Sequence, residues 1–374
     1  MVETKQVTLV QLAAELGARL DDQRAGTRTI RGVAPLESAK QDEVSFLANS
    51  RYEKHMADTG AGAVIVAKDY AGPRAATSCL MLCDDPYFAF RQAMVLFYGF
   101  RRPGFEGVDS RAVIDPTARI ADGVRVAAMA TISAGAEIGK GTVIYPGAYV
   151  GPSCRVGEDC IIYPNVTLYD GTILHDRVTI HAGTSIGHDG FGYATHKCPD
   201  GVVRHQKIPQ AGWVELEDDV EIGACCTIDR ATMGATIVGA GTKFSNLIAI
   251  GHGTQMGKGC LLVAQAGIAG SVMVGDYCVF AGQCGVVGHI RIGSGARIGA
   301  KAGITNDVEP GQEMLGIPAV PISEAKRAIV SSAHLPQLRT AVRRLTRDFR
   351  TLRRKLGLGE QNGADDTAQG REDA

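Results

Sequence analysis

Histidine is the side chain best suited to acid–base work near neutral pH, and two of the nine histidines in this chain stand out by context. His252 lies in NLIAIGHGTQMG and His289 in GVVGHIRIG, 37 residues apart. Zinc needs at least three protein ligands in a catalytic site, and five residues beyond each histidine stand Gly257 and Ser294 rather than a third imidazole. The pair therefore points to general-base chemistry on a single ligand rather than to metal hydrolysis. His175, His181 and His188, spaced by six and seven, read as surface or loop residues. Ten cysteines contain no C-x-x-C pair, which removes the usual zinc or redox spacing.

The elements that must position these residues follow from a period of six. Every sixth residue from Val108 to Ile186 is aliphatic, among them Ile114, Ile132, Ile144, Val156, Ile162, Leu168, Leu174 and Ile180. The register resumes at Leu216, Ile222 and Ile228, slips, and runs from Val238 through Phe244, Ile250, Ile268, Val286 and Ile298 to Ile304. Six residues make one short strand and a turn, so the aliphatic side chains stack inward as ladders of a parallel β-solenoid. Glycine often follows the aliphatic residue, as at Gly139, Gly157, Gly251 and Gly275, which suits a corner of unusual backbone conformation. Cys154, Cys160, Cys226, Cys260, Cys278 and Cys284 each precede a ladder residue by two, where a thiol serves as a small buried hydrophobe. The pattern resembles the hexapeptide-repeat acyltransferases. That resemblance implies a mainly β, left-handed parallel β-helix of triangular section with eighteen residues per coil. On that geometry His252 and His289, two coils and one residue apart, share one edge at roughly 9–10 Å.

Composition sets limits on the rest. Glycine makes up 47 of 374 residues, about 13% against an ordinary ~7%, which fits repeated tight corners. A formal charge of -1 provides no global field for nucleic acid or an anionic membrane. No apolar window reaches the length of a membrane span, and the N-terminus lacks the pattern of a secretory leader. The expectation is a cytoplasmic protein with no integral membrane segment and no nucleic-acid partner.

Residues 1–105 lack the period and mix apolar runs (VSFLA, GAVIVA, CLMLC) with helical patterns around Leu9–Leu16 and Tyr87–Phe97, as in a small α/β domain. The solenoid domain is placed at 106–318, its period running to 308, with an excursion loop near 187–213 that carries the only tryptophan, Trp213. C-terminal helices are expected over 319–357. There Leu338, Val342, Leu345, Phe349, Leu352 and Leu356 form a heptad seam, interleaved with Arg339, Arg343, Arg344, Arg347, Arg350, Arg353, Arg354 and Lys355. This basic stripe is open to two readings, a solvated face or a dock for an acidic partner. The acidic, polar 358–374 reads as a disordered tail.

FLANSRY, GHDGFGYA, KIPQ, GACCTIDR, NLIAIGH and GIAGS, in this domain order, closely resemble the UDP-3-O-(3-hydroxyacyl)glucosamine N-acyltransferases of lipid A biosynthesis, over nearly the whole chain to about residue 355. The resemblance implies transfer of a 3-hydroxyacyl group from acyl carrier protein to the 2-amine of the UDP-sugar. The acyl group arrives on the carrier's phosphopantetheine, with no other cofactor and no metal. By the same resemblance His252 matches the base, Gly270 the residue whose backbone N–H binds the oxyanion, and His289 a second histidine at the acceptor. Phe46, Asn49 and Tyr52 match a uridine site, and Asn246 belongs to the substrate motif. Where the family carries an aspartate seven residues before the base, this chain has Ser245, which can orient an imidazole by a hydrogen bond but supplies no charge. A homotrimer and carrier docking at Arg343, Arg347 and Arg350 complete the expectation. A coenzyme A-dependent sugar-amine acyltransferase and an inactive nucleotide-sugar-binding scaffold are the competing readings.

Overall fold

The computed structural model describes residues 5–315 and 322–356; the expected tail at 358–374 lies outside them. The chain divides into two compact units, Met1–Gly104 and Phe105–Ala374.

In the first unit the three apolar runs become strands Glu43–Phe46, Ala63–Ala67 and Cys79–Cys83. They pair in parallel at the centre of a five-stranded sheet. Ala63–Val66 are wholly buried, as a strand covered on both faces requires. Helix Leu9–Glu15 starts at a capping box in which Thr8 and Gln11 satisfy each other's backbone amides. Helix Pro86–Tyr98 is capped by the Asp85 carboxylate and has proline in its first turn, where no amide is lost.

The second unit is the solenoid. Two-residue strands spaced by eighteen pair in parallel, as Ile144 with Ile162 and Ile250 with Ile268. They build three faces of ten, ten and nine strands. The ladder residues from Val126 to Ile304 form one continuous buried column. The six ladder cysteines are buried and unpaired within it, and burial pushes the Cys154 and Cys160 thiols up to about 11, so they stay protonated and inert.

Two features correct the sequence reading. The glycines directly after ladder residues, Gly187 (φ 87°) apart, are not there for a left-handed backbone. Gly139 has no positive φ, and a Cβ on it would lie 2.4 Å from the carbonyl carbon of Gly157 in the next coil. They are demanded by the close approach of stacked turns. The left-handed position is two residues further on and is filled by Gly141 (φ 73°), Asp159 (φ 52°) and Asn165 (φ 58°). Stacking also continues past 308. Glu313–Met314 pairs with Arg297–Ile298 at a spacing of sixteen residues rather than eighteen, which is why the period of six does not reveal it.

The excursion begins after Ile186 and contains an antiparallel hairpin, Tyr193–Lys197 with Val203–Lys207, whose side chains are all exposed. Trp213–Leu216 returns to the third face beside Ile173–Leu174. Helices Ile322–Ala333 and Leu335–Lys355 follow. On the latter, Leu338, Val342, Leu345, Phe349 and Leu352 are each more than half exposed. No helix among the described residues is long and apolar enough to cross a membrane.

Candidate active site

Successive strands visit the three faces in turn, so residues eighteen apart stack on one edge. Val113–Ile114 and every later strand of its face share one sheet, which includes Ala249–Ile250, Gly267–Ile268 and Gly285–Val286. The turns leaving those three strands carry His252, Gly270 and His289, which therefore share the edge between this face and the next. The same edge receives His188 and Asp229, because Ser185–Asp189 and Thr227–Arg230 belong to that face as well.

His252 sits two residues past its ladder residue, Ile250, with glycine on both sides of its ring. A Cβ on Gly190 would lie 2.7 Å from His252 Cβ, and one on Gly270 would lie 2.6 Å from Nε2. The glycines of GHDGF and GIAGS are thus the clearance that lets the imidazole stand between the excursion loop and the next coil. At the matching turn position on another edge, the Glu158 amide donates to Asp176 Oδ1 at 2.8 Å and the Lys258 amide to Asp276 Oδ1 at 3.0 Å, each acceptor one coil on. The residue one coil beyond Gly270 is Gly288, which has no side chain, and the Gly270 N–H makes no hydrogen bond among the described residues. An open donor therefore lies beside His252 Nε2. His289 occupies the left-handed turn position (φ 62°) and is exposed; its amide donates to the Gly270 carbonyl at 3.2 Å.

Below His252 the period is broken and the ladder bulges between Ile186 and His188, so that His188 stands beside Asp229. Gly187 takes φ 87° there, and the buried Arg230 guanidinium fixes the bulge through the Gly187 carbonyl and both oxygens of Asp170. His188 Nδ1 lies 3.2 Å from Asp229 Oδ1. Burial raises the Asp229 carboxyl above the ordinary range, against the pull of His188, His252 and Lys207. Lys207 of the KIPQ segment reaches over from the hairpin to Asp189 Oδ2 at 3.3 Å and the Gly190 carbonyl at 3.1 Å, tying the loop down next to the His252 ring.

Asp229 and His188 are the members that sequence reading missed, although Asp229 lies in the GACCTIDR motif directly after ladder residue Ile228. Ser245 is placed elsewhere. It follows Lys243–Phe244, a strand of a different face, and so occupies another edge of the same chain from His252. Asn246 accepts the Ala224 amide through Oδ1 at 2.8 Å, a bond between coils. His175 and His181 pair outward with Glu215 at 2.8 Å and Glu221 at 3.0 Å. No group of three or more metal-ligating side chains occurs among the described residues.

The first unit holds a cavity of about 750 Å³ lined by Leu36, Phe46, Asn49, Tyr52, Tyr87 and Phe90 among others. Phe46 stacks on Phe90 with ring centroids 3.9 Å apart. Asn49 Oδ1 accepts the Arg51 amide at 3.0 Å and so caps a short 3-10 turn. On the C-terminal helix, Arg343, Arg347 and Arg350 are exposed.

Residues 27–96 match the family model described as UDP-3-O-(3-hydroxymyristoyl) glucosamine N-acyltransferase, LpxD. Residues 135–170 and 153–188 match the bacterial transferase hexapeptide repeat. The UDP-3-O-acylglucosamine N-acyltransferase of Nitratidesulfovibrio vulgaris is 51% identical over 93% of this chain and 98% of its own length. That of Oleidesulfovibrio alaskensis is 53% identical over 92% and 98%. Among solved structures, Arabidopsis UDP-N-acetylglucosamine acyltransferase aligns over 63% of this chain and 82% of its own, at 22% identity and a TM-score of 0.48. With half its residues shared with such relatives over nearly their full length, this chain belongs to the UDP-3-O-acylglucosamine N-acyltransferase family.

Proposed function

We propose that this protein transfers a 3-hydroxyacyl group from the thioester of acyl carrier protein to the 2-amine of UDP-3-O-(3-hydroxyacyl)glucosamine, a cytoplasmic step of lipid A biosynthesis. The observation that carries the reading is the open Gly270 N–H beside His252 Nε2, in a chain of this family. His252 takes a proton from the amine as nitrogen attacks the thioester carbonyl, and the oxyanion forms against the Gly270 amide. Collapse expels the carrier thiolate, which recovers the proton from the imidazolium, leaving an amide. His289, on the same edge, contacts the acceptor. In the first unit the Phe46 and Tyr52 rings hold uracil by stacking, and the Asn49 NH2 donates to its edge. No cofactor or metal enters these steps. The test is mass spectrometry of the product formed from acyl carrier protein and, separately, from acyl coenzyme A. Amide from the carrier substrate alone is the expected result. Amide from coenzyme A alone would make this a coenzyme A-dependent transferase, and nucleotide-sugar binding with neither product would make it a scaffold.

The acidic carrier docks on the arginine stripe of helix Leu335–Lys355. Charge reversal of Arg343, Arg347 and Arg350 is expected to raise the KM for the carrier substrate at least tenfold, an effect that weakens with added salt, while the KM for the UDP-sugar stays put. An unchanged carrier KM would return these residues to a solvated face.

The protein is a homotrimer, supported by the exposed apolar seam Leu338–Val342–Leu345–Phe349–Leu352 on that helix. Sedimentation equilibrium is expected at three times 39.4 kDa. A monomer mass at working concentration would refute it.

A further inference from the structure

The base reading leaves the imidazolium of His252 without an obvious counter-charge, because Ser245 lies on another edge. Of the two carboxylates the structure brings to this edge, Asp189 is half exposed and held by Lys207, which leaves Asp229. Asp229 follows Ile228, which is paired with Ile250, two residues before His252. Its side chain is only 18% exposed, and the His252 charge acts on it. His188 and Asp189 come from the strand on one side and Lys207 from the hairpin. Arg230 turns away to Asp170, and the Phe191 amide points at the carboxylate.

On the reading of His252 as base, we propose that Asp229 is a positioning residue that orients its imidazole and stabilises the imidazolium, and that His188, 3.2 Å from the same carboxylate, competes for that charge. A carboxylate beside an imidazole favours its protonated form, and a second cation on the same carboxylate weakens that influence. His188 therefore draws on the same carboxylate as His252. The consequence is a pH response set jointly by two histidines that are 64 residues apart in the chain.

The two partners predict opposite displacements. In Asp229→Asn the acidic limb of the kcat/KM profile moves to lower pH, because the imidazolium has lost its counter-charge. kcat falls about tenfold or more, within the range spanned by general-base catalysis, while the KM for the UDP-sugar is unchanged. Asp229→Glu recovers part of the rate. In His188→Gln the acidic limb moves to higher pH, because the carboxylate now acts on His252 with one competitor fewer. NMR titration of the His252 ring signals in the full-length protein is expected to move in the same two directions without substrate present. Ring titrations that coincide with wild type in both Asp229→Asn and His188→Gln, with thermal melts intact, would overturn the proposal. The ring titration also separates this idea from the base reading: a fully active His252→Ala would remove the base assignment, whereas the ring shifts report on Asp229 and His188 whether or not His252 is the base.

Discussion

Replacement of His252 by alanine is expected to lower kcat by about 10²–10⁴, the span of a positioned general base, and to leave the KM for the UDP-sugar within about twofold. The amine of an amino sugar must lose a proton as it becomes an amide, and among the described residues of this edge the ring beside Gly270 combines basicity with a neighbouring open backbone N–H. The loss should fall on kcat because the cavity proposed to hold uracil, lined by Phe46, Asn49 and Tyr52, belongs to the other unit. Folding should be unaffected. The ring stands on the outside of the coil between Gly190 and Gly270, and the buried ladder Ile250–Ile268–Val286 beneath it is untouched. Steady-state rates with acyl carrier protein as donor, with a thermal melt as control, decide it. A variant retaining more than a fifth of wild-type kcat would remove His252 from the role of base.

Gly270→Ala is expected to be nearly as damaging, for a geometric reason. The added Cβ would lie 2.6 Å from His252 Nε2, whereas non-bonded heavy atoms settle at about 3.5 Å or more. The imidazole must retreat by about 1 Å, and a misplacement of that size can cost ~10²-fold in rate. On the proposed mechanism the methyl group also stands where the acyl oxygen would approach the amide. The backbone itself accepts alanine, since φ at Gly270 is outside the left-handed region, so the melting temperature should hold. Because the damage is delivered through His252, the two substitutions should not add: Gly270→Ala placed on His252→Ala is expected to cost far less than it does alone. Full additivity would instead locate the effect in the oxyanion donor or the acyl path, independently of the ring.

Residue pattern alone determined the solenoid, its extent through Ile304, the burial of the ladder cysteines and the three central strands of the five-stranded N-terminal sheet. In each case burial repeats with a fixed period and the side-chain type reports it. The shared edge of His252, Gly270 and His289 was legible for the same reason, once eighteen residues are taken as one coil. Tertiary structure decided the rest. Ile186 and Ile228 are 42 residues apart, not a multiple of eighteen, so counting could not bring His188 and Asp229 to the edge of His252; only the path of the excursion loop does. Ser245 is seven residues from His252 and looks adjacent in the chain, yet a hexad carries it to another edge. Gly139, Gly190 and Gly270 look like turn glycines but are clearances, because what forbids a side chain there is an atom one coil or one loop away. Periodic burial is a property each residue carries locally. The distance between two charges across a broken period, and the space left by the next coil, are set only when the backbone closes on itself.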